Sequence, residues 1–245
     1  MLQPEQKQAA RAIVERLTEP CAHCDARHLS VCQAVEDPYL EQLAALVTTI
    51  ELAPHDTMVT EGDPAGHYFN ITYGTVKIYK LLPDGRQQII GFSFAGDFVG
   101  LSVRENYAYS VEALTPARAC RFDRKRLEGL LTKFPKIEHQ LRSQTSDELA
   151  IAQDQMLLLG RKTAKERVAS FLLQLSHRAK RLGQPANPVV LTMGRADIGD
   201  YLGLTIETVS RTFTKLRAEK LIALGANNTV HLELNALSEL SGAWN

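Results

Sequence analysis

Three thiols lie within twelve positions, CAHCDARHLSVC at residues 21–32, and a fourth, Cys120, stands alone in a strand-like stretch. Four sulfurs admit four kinds of chemistry. An even count permits disulfides, although reducing compartments keep thiols free. Four thiolates suit structural zinc, but zinc sites commonly pair two C-x2-C knuckles and only Cys21-x2-Cys24 is present. Thiolates equally hold iron–sulfur clusters. Cys120, between Ala119 and Phe122, also reads as a small buried hydrophobe. His23 and His28 add imidazoles to the loop, either as substitute ligands or as bystanders. Spacing alone leaves these alternatives open.

The elements that must hold these sulfurs follow from pattern. Residues 4–18 suggest a short helix before Pro20. Leu40, Leu43, Leu46 and Val47 recur at helical spacing and predict an amphipathic helix. From residue 52 the period becomes two: TVKIYK puts Val76 and Ile78 on one face and Lys77 and Tyr79 on the other, a half-buried strand. YSVEALT and RACRF read as further strands, and Pro83-Asp84-Gly85 as a turn. Short strands cut by glycine predict a small β-roll. After Phe134-Pro135 a glycine-free stretch runs to Gly160. Leu149, Ala152, Met156 and Leu159 form a narrow apolar seam along it, suited to a two-helix contact or to packing within the domain. KTAKERVASFLLQLS then predicts a second helix with Val168, Phe171, Leu172 and Leu175 inward.

Residues 191–224 carry a helix-turn-helix frame. Gly199 falls where two helices touch, Gly203 where the backbone turns, and Val209 where the second helix is buried. Thr205 falls at its N-cap. That helix offers Glu207, Ser210 and Arg211 to base edges: Arg donates twice to guanine, and Glu accepts from cytosine. Arg195, Thr205, Lys215, Arg217 and Lys220 are candidate phosphate contacts. LIALGANNTVHLEL predicts a hairpin wing turning at Asn227-Asn228. Charge agrees: residues 1–160 carry 16 Lys and Arg against 21 Asp and Glu, residues 161–245 carry 12 against 7. The basic end is the one that meets a polyanion.

No apolar run approaches the roughly 20 residues of a membrane span, and the N-terminus lacks the apolar stretch of a signal peptide. The expectation is a cytoplasmic protein that does not contact membrane. No Ser/His/Asp arrangement, P-loop or dinucleotide fingerprint is found, so an enzyme is not expected.

EGDPAGHYFNITYGTVKIY, FAGDFVG, DQMLLLGRKTAKERVASFLLQLS and E-T-V-S-R at 207–211 together resemble the cyclic-AMP receptor protein/fumarate–nitrate reduction regulator (CRP/FNR) superfamily, in its FNR branch, over nearly the whole chain. The resemblance implies an α+β fold with an N-terminal cyclic-nucleotide-binding-like β-roll (jelly roll), a long dimerisation helix and a C-terminal winged helix-turn-helix. The domains would be 1–33 for the cysteine segment, 34–133 for the roll, 134–163 for the helix and 164–245 for the reader. It implies a [4Fe–4S] cluster on Cys21, Cys24, Cys32 and Cys120, with a longer final gap than other members have. It also implies a homodimer on double-stranded DNA, with Glu207, Ser210 and Arg211 reading TTGAT inverted repeats and surface loops, including Asp84-Gly85, touching RNA polymerase. Oxygen would destroy the cluster and release the DNA. No carboxylate stands at Ala152, so the cluster-free dimer is expected to persist more than a simple switch requires. Cyclic nucleotide is not expected: Leu101 follows Gly100 where nucleotide-binding members carry Glu, no Arg-Ser pair follows, and Arg104 is out of register. The rival expectation is a constitutive DNA-binding regulator with structural zinc.

Overall fold

The computed structural model describes residues 21, 24–101 and 105–242. The helix expected over 4–18, together with Pro20, His23 and Arg104, lies outside the described residues. The chain forms two compact units. One is built from the chain up to Ile78 and from Phe92–Ser146, the other from Tyr79–Gly91 and from Asp147 onward.

Two four-stranded sheets make the roll, most of it in the first unit. One has the order β1 (Val47–Leu52), β8 (Ala117–Asp123), β3 (His67–Tyr73), β6 (Phe98–Val99). The other has β2 (Thr57–Val59), β7 (Ser110–Ala113), β4 (Thr75–Leu81), β5 (Gln87–Phe94), with the end of β4 and the first part of β5 in the segment Tyr79–Gly91. Strand alternation sends Phe69, Ile71, Val99 and Ala119 into the roll, where Val59, Val76 and Val111 meet them. Tyr68, Phe98 and Phe122 point the other way, into a second core. That core is closed by the cysteine loop, by α1 (Leu40–Ala44), by α2 (Arg124–Leu131) and by Ile137 and Leu141 at the start of α3 (Pro135–Arg161).

Two local expectations fail here. The amphipathic helix around residues 40–47 is only the five-residue α1, and Val47 already belongs to β1. The β-branched run Val47-Thr48-Thr49-Ile50 favours extended backbone, and β8 is there to pair with it. β4 is not half-buried either. Lys77 is buried, its Nζ 3.0 Å from Glu112 Oε1 on neighbouring β7, and the carboxylate replaces the water that would otherwise have kept this side chain outside.

In the second unit α4 (Ala164–Arg181) opens on a capping box between Thr163 and Glu166. It buries Val168, Phe171 and Leu172. The unit continues with α5 (Arg195–Leu202) and α6 (Ile206–Ala218), a sheet of β10 (Ile222–Leu224), β11 (Thr229–Leu232) and β9 (Val189–Val190), and α7 (Leu234–Ser241). Gly203 caps α5 at φ 63°, and a β-carbon on Gly199 would sit 2.6 Å from the Leu204 carbonyl oxygen. Both positions need glycine, as the spacing predicts. Asn227 and Asn228, at φ 52° and 57°, turn the wing, the conformation a tight hairpin favours. Strand β9 and helices α2 and α7 are not among the elements expected from the sequence.

Candidate functional site

The four cysteines are free thiols. Cys120 lies mid-strand on β8, directly opposite Thr49 of β1 and Asn70 of β3, and Asn70 in turn faces Phe98 of β6. Opposed residues share a face, so Thr49, Cys120, Asn70 and Phe98 form one row, on the side of the sheet that the cysteine loop covers. The loop is fixed by its own chemistry. Ser30 Oγ accepts the Cys32 N–H at 3.2 Å and caps the short turn Val31–Ala34. Arg27 donates to the Val35 carbonyl and to Asp37, each at 2.8 Å. A β-carbon at Gly96 would lie 2.5 Å from the Leu29 carbonyl oxygen, so the loop backbone rests directly on the β5–β6 turn.

The sulfurs feel one another. Burial pushes the Cys21 thiol up to about 11, with negative charge on Cys32 and then Cys24 adding to the rise. Cys120 is pushed to about 12, first by burial and then by Cys24, Cys32 and Cys21. Cys32 also rises, chiefly by burial, against the hydrogen bond from Ser30. Thiols raised in this way stay protonated unless a cationic centre displaces the protons. Four sulfurs make a donor set for a soft, thiophilic group, and the residues present fit an iron–sulfur cluster in that sense. Among the described residues no three His, Cys, Asp or Glu side chains converge to hold a metal ion. His28 is exposed.

Asn70 is the neighbour that periodicity did not reveal. It is 1 % exposed, its Nδ2 lies 3.9 Å from Cys32 Sγ, and its Oδ1 has no hydrogen-bond partner among the described residues. An unpaired buried carbonyl costs about 1–3 kcal/mol.

Two tyrosines pack beside Gly100 at the end of β6. The Gly100 N–H donates to Tyr109 Oη at 3.1 Å. Tyr107 Oη donates to the His67 carbonyl at 2.8 Å and accepts the His67 N–H at 3.1 Å. Both tyrosines stand in ENYAYS, but nothing in their spacing announces the role.

On α6, Glu207, Ser210, Arg211 and Thr214 share one exposed face, and Lys215 and Arg217 are exposed beside it. Thr205 caps the helix, its Oγ1 accepting the Thr208 N–H at 3.3 Å. The Glu207 carboxyl is held below the usual range, first by its own backbone N–H and then by Thr205, with the Arg211 charge last. Arg195 is placed differently from these. Its guanidinium stacks 3.3 Å over the Phe213 ring, with Nη1 buried and unpaired among the described residues.

On α3, Leu149 and Met156 are 59 % and 66 % exposed and Ala152 is also exposed. Leu159 is only half exposed, because its Cδ2 lies against Gly203. Arg167 of α4 binds these parts together. It donates to the carbonyls of Leu159 and Leu202 at 2.8 Å each and of Lys162 at 2.9 Å.

Residues 49–134 match the cyclic nucleotide-binding domain family, and residues 191–222 match the bacterial regulatory proteins of the crp family. The chain is 38 % identical to the transcriptional activatory protein AadR of Rhodopseudomonas palustris, over 90 % of this chain and 92 % of that one. It is 36 % identical to the transcriptional activator protein anr of Pseudomonas aeruginosa, over 91 % and 94 %. The solved structure of FixK2 from Bradyrhizobium japonicum superposes with a TM-score of 0.75 at 36 % identity, covering 81 % of this chain and 99 % of that one.

Proposed function

The chain belongs to the CRP/FNR superfamily of transcription regulators, DNA-binding proteins and not enzymes, and we propose that its four thiols make it an oxygen-responsive member. The observation that carries this reading is that Cys21 and Cys32 of the loop pack in one core with Cys120, on a strand remote from them in sequence. Bound to these four sulfurs, a [4Fe–4S] cluster supplies an oxygen-labile staple between loop and sheet.

The loop reaches α3 through its own side chains. Val31 and Val35 pack in one core with Ile137 and Leu141, and Lys136 Nζ meets Glu36 Oε1 at 2.7 Å. A loop held by Cys120 therefore braces the first turns of α3. Further along that helix, Leu149, Ala152 and Met156 offer an apolar stripe to a second copy. A dimer paired there presents two α6 helices about 34 Å apart, one turn of DNA. Glu207, Ser210 and Arg211 then read TTGAT-type half-sites, with Thr205, Lys215 and Arg217 on phosphates and Arg195 joining them by leaving the Phe213 ring. Leu81 and Leu82, exposed beside Asp84-Gly85, suit a contact with RNA polymerase.

Anaerobic purification tests the reading. The expected protein is brown, carries iron and sulfide, bleaches in air and loses its inverted-repeat affinity as it bleaches. A colourless, zinc-containing protein whose DNA affinity ignores oxygen would overturn it.

A further inference from the structure

Asn70 stands where a central strand of a roll ordinarily carries an apolar residue. Asparagine is disfavoured in strands, and at this fully buried place it gives up one hydrogen bond outright, since Oδ1 is unpaired among the described residues. What it keeps is the N–H directed at Cys32 Sγ, 3.9 Å away. The sheet register sets it directly opposite Cys120 as well. One buried amide thus touches a sulfur of the loop and neighbours the sulfur of the strand. It is shielded from water, so the weak N–H···S contact is not displaced by solvent.

Resting on the cluster reading above, we propose that Asn70 is a positioning residue whose amide steadies the Cys32 sulfur and tunes the reduction potential of the iron–sulfur group held there. A donor to a ligand sulfur withdraws electron density and favours the reduced, more negative state, so its presence raises the potential. The burial of Asn70 strengthens this effect, because low local dielectric magnifies such a contact.

The test uses two variants of the full chain, Asn70→Leu and Asn70→Ser, purified anaerobically beside the unaltered protein. Leu fills similar volume without a donor, while Ser keeps a shorter one. Iron and sulfide content, mediated redox titration and resonance Raman of the iron–cysteine stretches are read on all three. The expected result is near-normal iron and sulfide content in both variants. The potential should move to more negative values in Leu, with an intermediate shift in Ser and a displaced iron–cysteine stretch. Unchanged potential and stretch in both would overturn the proposal. So would loss of the cluster accompanied by unfolding of the cluster-free variants, since Asn70 would then be merely structural. Loss of the cluster from variants whose cluster-free form melts normally would support the steadying of Cys32. An unaltered protein devoid of iron and sulfide would instead defeat the cluster reading itself, and this proposal with it.

Discussion

Leu29 and Gly96 touch backbone to backbone: a β-carbon on Gly96 would intrude to 2.5 Å from the Leu29 carbonyl oxygen, and Gly96 holds φ at 97°. The cysteine loop is seated on the roll by this contact. Gly96→Ala is expected to cost about 1–3 kcal/mol from the strained conformation and the displaced loop. On the proposed cluster reading, iron content should fall along with the melting temperature, because the displaced segment carries Cys24 and Cys32. Calorimetry and iron analysis on one preparation check both. A destabilised variant with full iron would show that the loop need not sit here to bind.

On the proposed reading, Arg211 reads bases and Lys215 holds phosphate. Arg211→Ala is expected to remove about 1–3 kcal/mol of discrimination between the inverted repeat and random DNA, the value of a bidentate base contact. Lys215→Ala should weaken both equally and reduce the salt dependence of binding by about one unit of slope. Titrations at several salt concentrations on both DNAs decide. Equal losses with Arg211→Ala would make it a phosphate contact.

How much was legible varies with how local each signal is. Gly199, Gly203, Thr205 and Val209 were readable because a helix-turn-helix is set by steric demands within a dozen residues. The Asn227-Asn228 turn was readable for the same reason. The burial of Lys77 was not, because Glu112, which permits it, lies on another strand. The strand at Val47 overrode a helical spacing because β8 was waiting to pair with it. Arg195 reads as an exposed cation until Phe213 is brought beneath it. Asn70, Tyr107 and Tyr109 act through partners that only the closed roll supplies. The four cysteines were visible as a set, while the register that puts Cys120 opposite Asn70 was not.

Met156 and Leu149 expose large apolar side chains along α3. In the proposed dimer, Met156→Glu would set like charges against each other across the two-fold axis. The expected outcome is a monomer by sedimentation, with the cluster retained. Affinity for the full repeat should fall by about 10²–10⁴, the gain that linking two half-site contacts provides. A variant that remains dimeric would place the interface elsewhere.

Glu128 brings an acid limb to the stability of the roll. Tyr68 Oη donates to its Oε1 at 2.8 Å and Arg124 Nε at 3.0 Å. The Tyr68 hydrogen bond, followed by that from Arg124, holds the carboxyl below its usual range. A depressed folded-state value contributes stability that is present above the unfolded value and is lost as pH falls through the folded one. The melting temperature should therefore drop as pH falls below the ordinary glutamate value of about 4.3. Glu128→Gln should melt lower than the unaltered protein at pH 7 and lose less on acidification. Parallel curves for the two proteins would remove Glu128 from the account.

Arg167 spends three hydrogen bonds on three carbonyls, those of Leu159, Lys162 and Leu202. These belong to the last turn of α3, the link to α4 and the last turn of α5. Helix C-termini leave carbonyls unsatisfied, and one guanidinium here serves two of them together. Its planar fork permits this, and a lysine ammonium does not reproduce it. Arg167→Met keeps the aliphatic stem and abandons the carbonyls, at about 1–3 kcal/mol for each that stays buried. The proposed dimer stripe and cysteine set do not include Arg167, so dimerisation and iron content should be unchanged. Amide exchange at the α5–α6 turn should quicken, and specific DNA affinity should fall. Arg167→Lys should recover only part of either effect. If Arg167→Met binds DNA normally while exchange quickens, the end of α3 and the reader helix do not need this tie to act together.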